Sequence, residues 1–170
     1  MDVPISTGGD TLMEITRYLV DCCVMQNDTT PEAFVGMTRA YHYAVALNDR
    51  FMNLGHLRTM NGLIRGGERD PMMKFRTVPA YFDDGSFAPD AENVPRLMEQ
   101  WYDAYKASIF LTPDFAYFEL MRIHPFVDGN GRVGSLLWNH MRFSLMTPKH
   151  PPKYETLVKK FSRPNGAEKE

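Results

Sequence analysis

Nine consecutive residues, His124-Pro125-Phe126-Val127-Asp128-Gly129-Asn130-Gly131-Arg132, constrain this chain more than any other feature. A core segment would not combine an imidazole, a carboxylate, two glycines around an amide, and a guanidinium. Each group suits one part of a phosphate-ester reaction. An imidazole with an ordinary pKa of roughly 6.5 takes a proton near neutral pH. Asp128 offers hard oxygen to Mg²⁺, which binds through one or two carboxylates plus substrate phosphates. Gly129 and Gly131 allow close backbone approach, and their N–H groups can form an anion nest. Arg132 can grip phosphate oxygens with its planar fork. Apolar residues precede the stretch (Phe115, Phe118, Leu120, Met121) and follow it (Leu136, Leu137, Met141) at helical spacing. The expected arrangement is helix, tight loop, helix, with a diphosphate lying on the start of the second helix.

The same residues resemble the signature of the Fic family, His-Pro-Phe-x-Asp/Glu-Gly-Asn-Gly-Arg-x-x-Arg, at every defined position through Arg132. Weaker likeness extends backwards. Phe75-Arg76 through Phe87-Ala88-Pro89 resembles the family's flap hairpin, and Asn93-Val94-Pro95-Arg96-Leu97-Met98 resembles the start of the helix after it. The resemblance covers about residues 55–146. It implies a mainly α fold, a Fic-type bundle of about six to eight helices with one β-hairpin flap beside the active site. It implies transfer of a nucleotide monophosphate, AMP from ATP with Mg²⁺, to a Ser, Thr or Tyr hydroxyl of a target protein. On that reading His124 is the general base and Asp128 holds the metal. Gly129, Asn130, Gly131 and Arg132 hold the phosphates, and Phe126 anchors the loop. Arg76, Thr77, Val78, Pro79 and Ala80 form the flap that docks the target by strand pairing.

One position departs from the pattern. The family usually carries a second arginine there, which helps hold the outer phosphates. Here it is Ser135. A hydroxyl can hydrogen-bond a phosphate but supplies no charge. Two alternatives therefore stand beside AMP transfer: transfer of another phosphate-containing group or of phosphate, and a nucleotide-binding or interaction module with weak catalysis. The intact His124 argues against the second, since a pure binder gains little from a base.

The rest of the sequence narrows the setting. The 170 residues, 44% of them hydrophobic, fit one domain with a sizeable core. A net charge of −2 points to neither nucleic acid nor an acidic membrane surface. There is no apolar run long enough to span a membrane and no visible signal peptide. Cys22 and Cys23 are the only cysteines and are adjacent, so both read as free, buried thiols of a reducing, cytoplasmic compartment.

In chain order, residues 1–9 read as a loose arm and Asp10 as the cap of a helix from Thr11 to about Gln26. Thr30-Pro31 starts a second helix, expected to reach about Asn53, with His42 structural. A third runs from His56 to Ile64, with His56 packing or capping. Lys74–Phe82 and the turn Asp83-Asp84-Gly85-Ser86 read as a hairpin. Asp90 or Asn93 caps a helix buried through Leu97, Met98, Trp101 and Tyr105. Thr112-Pro113 opens the helix that delivers His124, and the helix after the loop is expected over about Arg132–Ser144. His140 and His150 read as surface or capping residues. Residues 148–170 read as a solvated tail with one short helix near Tyr154–Phe161. Many Fic enzymes are restrained by a helix with the pattern Ser/Thr-x-x-x-Glu-Gly/Asn. The one candidate glutamate, Glu92 before Asn93, has Ala88 four residues earlier, so no such element is expected. An inhibitory partner subunit is not indicated, and trimming a terminus is expected to give no gain in activity.

Overall fold

The computed structural model describes residues 8–47, 51–66, 74–82, 84–107 and 112–162. Seven α-helices are present among them: α1 (Gly8–Val24), α2 (Pro31–Ala46), α3 (Leu54–Ile64), α4 (Val94–Lys106), α5 (Pro113–Ile123), α6 (Asn130–Met141) and α7 (Tyr154–Phe161). A 3-10 turn at Ala91–Asn93 leads into α4. No described helix is long and apolar enough to cross a membrane.

Helix α6 is the axis of the bundle. Arg132 through His140 are buried without interruption, and the polar residues Arg132, Ser135 and Asn139 find partners inside the bundle, on Asp28, Tyr18 and the Lys149 carbonyl. A helix buried on every side has to be surrounded. Helices α2, α3 and α5 pack on it; α1 packs on α2, α4 on α5, and α7 on the outer side of α5. Glycines set two of these approaches. A Cβ at Gly36 would lie 2.5 Å from the Ile64 carbonyl oxygen, so α2 passes directly against the end of α3. A Cβ at Gly134 would lie 2.8 Å from the Tyr117 ring, which lets α6 lie close to α5.

Local chemistry explains most helix starts. Thr30 and Thr112 each accept a hydrogen bond from the amide three residues on, with proline at the first helical position. Asn53 and His56 form a reciprocal capping box at α3, so His56 has the capping role expected of it. Helix α2 also stops earlier than expected: it ends at Ala46, Leu47 is extended, and Leu54 is the first residue of α3. Other boundaries also differ from the sequence reading. Helix α1 starts at Gly8, so Asp10 lies within its first turn rather than capping it, and residues 1–7 of the expected arm are outside the described residues. Neither Asp90 nor Asn93 caps through its side chain. His140 is buried rather than on the surface. Both cysteines are free and buried as expected, and burial pushes the Cys22 thiol up to about 12.

Two larger expectations change. The β-hairpin is not formed as paired strands. Among the described residues there is no strand, only one antiparallel bridge, Tyr81 to Phe87, flanked by the Ala88 amide donating to the Ala80 carbonyl. A two-stranded ribbon is marginal by itself, and this one leans on the bundle through side chains instead. The region after Pro148 is not a solvated tail as far as residue 162. Leu157 is buried between α5 and α6 side chains, in a cluster with Tyr117, Phe118 and Trp138. Phe161 packs edge-on against Phe115 at 5.0 Å. Residues 163–170 lie outside the described residues. Truncation after Thr147 is therefore expected to lower both Tm and activity: uncovering Leu157's site alone costs about 1.5–3 kcal/mol. Thermal melts of the truncated and full chains check this.

Candidate active site

Helix α5 ends at Ile123, and His124 takes the left-handed conformation, φ 52 and ψ 61. This is uncommon for a residue with a Cβ and is held only where surroundings enforce it. The His124 amide closes the helix on the Leu120 carbonyl at 3.0 Å. The turn swings the imidazole into a cleft of about 420 Å³, which Tyr81, Phe82, Asp128, Gly129 and Gly131 also line.

The loop after His124 is closed from within. Phe126 points into the core and is 1% exposed. The Asn130 side chain bridges its backbone: Oδ1 accepts from the Phe126 amide at 2.9 Å, and Nδ2 donates to the Phe126 carbonyl at 2.8 Å. Asn61 of α3 donates to the Asp128 carbonyl at 2.7 Å. Gly129 then reverses the chain at φ 82, where a Cβ would also lie 2.8 Å from Asn61 Nδ2. Helix α6 can thus begin at Asn130, two residues before the expected Arg132. No side chain caps it. Its first-turn amides lack intrahelical partners and carry partial positive charge toward the cleft mouth. Gly131 keeps this approach narrow, because a Cβ there would meet the Gln26 side chain at 3.0 Å.

The charged groups are arranged around Arg132. It is 2% exposed and donates to Asp28 at 3.0 Å and to Asp128 at 3.2 Å, while its buried Nε has no hydrogen-bond partner. Desolvation works to raise the Asp28 pKa, but the hydrogen bonds from Arg132 and Thr30 outweigh it and hold the carboxyl below its usual range. The Asp128 carboxylate remains half open to solvent; its Oδ1 accepts the Gly129 amide at 2.6 Å.

His124 is half-buried with its Nδ1 enclosed. Phe82 meets the ring edge-on at 5.3 Å, Tyr154 of α7 stacks on Phe82 at 5.7 Å, and Phe118 stacks on Tyr154. Burial pulls the imidazole pKa below 6.5 and the nearby Arg76 charge adds to this; the Met121 carbonyl and the Asp128 charge oppose it. A depressed pKa keeps the ring neutral at pH 7, as a base requires. The ¹H–¹⁵N titration midpoint of His124 is therefore expected below 6.5 and to rise in a chain carrying Arg76→Gln. The same sign makes the folded state lose stability as pH falls through that midpoint, because the unfolded chain takes up the proton more readily.

The structure brings most of the candidate residues to one cleft, with different parts to play. Asn130, expected against phosphate, spends both ends of its amide on the Phe126 backbone, leaving its main-chain N–H toward the helix start. Ser135 lies one turn farther along α6, buried, with its hydroxyl 2.8 Å from the Tyr18 hydroxyl. Thr77, Val78 and Pro79 are exposed beside the cleft and Ala80 is half-buried, but Arg76 is 2% exposed and faces inward. Asp28, Asn61 and the Phe82–Tyr154 pair were missed. Asp28 meets Arg132 across 104 residues, so nothing local announces it. Asn61 carried a signal: a lone amide between apolar Met60 and Leu63 has to find a buried partner.

The model of the Fic/DOC family matches residues 30–141, about two thirds of the chain and all of the cleft loop. The chain belongs to the Fic/DOC family. It is 34% identical to the "Protein adenylyltransferase Fic" of Drosophila melanogaster over 105 residues, which cover 58% of this chain and 18% of that one. The protein of the same name from Aedes aegypti matches at 34% with the same coverage. This chain thus spans less than a fifth of those relatives' length. Among solved structures, a Fic-domain-containing signaling protein from Bacteroides thetaiotaomicron superposes with a TM-score of 0.58 at 19% identity, covering 90% of this chain and 71% of that one. A fragment of Fic-1 from C. elegans gives 0.55 at 19% identity, covering 91% of this chain and 54% of that one. The helical bundle of this chain is accordingly the fold of Fic domains.

Proposed function

We propose that this chain transfers a nucleotide monophosphate, AMP from ATP, to a Ser, Thr or Tyr hydroxyl of a target protein in the cytoplasm. The observation that carries the reading is that the neutral-poised imidazole of His124 and the uncapped N-terminus of α6 face one cleft, beside the exposed segment Thr77–Pro79. The names of the Drosophila and Aedes relatives support it.

His124 takes the proton of the target hydroxyl on Nε2, since Nδ1 is enclosed. The hydroxyl oxygen then forms the new bond to the α-phosphorus. The bond from that phosphorus to the bridging oxygen breaks, and pyrophosphate leaves with the electron pair. The amides at the start of α6 receive the phosphate oxygens. Arg132 adds fixed positive charge beneath them and steers Asp128. Asp128 is also the residue fitted to hold Mg²⁺: its carboxylate is half open and lines the cleft. No cluster of three or more His, Cys, Asp or Glu is present among the described residues, so the donor set suits an ion that shares its coordination with nucleotide phosphates. When bound, the ion would offset charge on the transferring and leaving phosphates.

Transfer from a different phosphate-containing donor remains the second reading, and Ser135 favours it. Its hydroxyl is engaged by Tyr18, so the place of the family's second arginine is neutral. Intact-mass spectrometry separates the two. The purified chain is incubated with Mg²⁺ and ATP, CTP, GTP or UTP. A gain of one AMP with ATP alone supports the first reading, and a gain with another donor supports the second. No gain with any donor, with or without added cell-extract proteins as acceptors, contradicts both.

A further inference from the structure

We infer that Arg76 is a positioning residue that locks the flap to the carbonyl of His124 and so sets the distance between a docked target and the base. The inference rests on the transfer reading above.

Arg76 is a buried cation whose hydrogen bonds all end on backbone carbonyls. Its Nε donates to the His124 carbonyl at 2.7 Å. Nη1 donates to the Val78 carbonyl at 2.9 Å. Nη2 donates to the Pro89 carbonyl and more distantly, at 3.4 Å, to the Ile123 carbonyl. Its own amide donates to the Pro125 carbonyl at 2.8 Å. Among the described residues no carboxylate pairs with it; Asp90 contributes only a distant favourable charge.

Those partners fall into two groups. Ile123, His124 and Pro125 form the end of α5 and the turn that aims the imidazole. A helix C-terminus leaves carbonyls without intrahelical donors and carries partial negative charge, which a cation satisfies. Val78 and Pro89 lie on the entering and leaving arms of the flap. One guanidinium therefore fastens both arms to each other and to the strained residue that bears the base. This matters because the flap's own pairing is a single bridge. The rigidity it lacks as a sheet is supplied from its root. Lysine cannot substitute, because an ammonium is a point charge without a planar fork that reaches carbonyls on three sides.

The Arg76 side chain also does not face the cleft mouth. Its place is behind Thr77, Val78 and Pro79, where it holds the Val78 carbonyl from the inner side.

The test uses the full chain with Arg76→Lys and, as a second variant, Arg76→Gln. Hydrogen–deuterium exchange needs no activity. In both variants, amides of residues 74–82 are expected to exchange at least about 10-fold faster, with those of 133–140 unchanged, since only the flap root is released. The second arm compares nucleotide transfer with hydrolysis of the donor by water, which needs no docked target. The ratio of transfer to hydrolysis is expected to fall at least about 10-fold, as misplacement of a reactant near 1 Å can cost 10²-fold. This ratio is independent of how much of the sample is folded. Unchanged exchange in residues 74–82 overturns the inference. So does faster exchange with an unchanged ratio, or transfer and hydrolysis falling together. If the wild-type chain transfers nothing from any donor, the transfer reading has failed, and the exchange arm alone decides whether Arg76 holds the flap.

Discussion

Replacing His124 by Asn is expected to slow transfer by roughly 10²–10⁴-fold, the usual contribution of a positioned general base. Asn tolerates the left-handed backbone that residue 124 adopts better than most residues, so the loop keeps its course and the change isolates the missing base. Nucleotide affinity should stay within about 3-fold of wild type, because the amides at the start of α6 are untouched. His124→Ala should show the same loss of rate, with an added fall in Tm from placing Ala at φ 52. Single-turnover rates and nucleotide titrations check both. A variant that keeps its rate would remove the imidazole from the chemistry. A variant that loses nucleotide affinity in step with rate would make His124 part of the donor site.

Asn130→Ala carries the second large effect, and the structure changes its meaning. If Asn130 only touched phosphate, truncation would cost rate and leave the fold alone. Its amide instead bridges the Phe126 N–H and C=O, both buried. Removing it leaves two main-chain groups without partners, at roughly 1–3 kcal/mol each. A chain of this size loses about 2–4 °C of Tm for each kcal/mol. Phe126 sits in the core, so the disturbance reaches Gly129 and the helix start, and transfer should fall by at least about 10²-fold even in the folded fraction. Asn130→Asp should not rescue it, because its second oxygen would face the Phe126 carbonyl. Thermal melts beside rates separate the two accounts: lost rate with an unchanged Tm would return Asn130 to the phosphate.

These two residues show what the sequence could and could not reveal. The helices were legible where a local signal exists. Thr30-Pro31 and Thr112-Pro113 announce α2 and α5, and the apolar spacing of Leu97, Met98, Trp101 and Tyr105 announces the buried face of α4. The nine-residue stretch was legible as one site because its groups are contiguous. Long-range partners were not. Arg132 looked like a free phosphate grip until Asp28 met it from the α1–α2 turn. Ser135 looked like a neutral phosphate contact until Tyr18 took its hydroxyl. The region after Pro148 read as a tail because an eight-residue amphipathic helix with two terminal lysines looks soluble by itself; only the Phe118 and Trp138 surface it covers makes it part of the core. The flap shows one antiparallel bridge, Tyr81 to Phe87, rather than assigned strands among the described residues: Thr77, Val78, Tyr81 and Phe82 favour extended backbone, and propensity for β structure reports packing as much as pairing.

The central claim is that the chain attacks the α-phosphorus of its donor with a hydroxyl activated by His124. The most direct measurement incubates wild-type chain and His124→Asn with Mg²⁺ and ATP labelled at either the α- or the γ-phosphate, with cell-extract proteins as acceptors, and follows label bound to protein. The account predicts label from the α-position only, release of labelled pyrophosphate from the γ-position, and neither in the variant. Protein labelled from the γ-position would mean phosphate transfer, and α-label that persists in His124→Asn would mean that another group is the base.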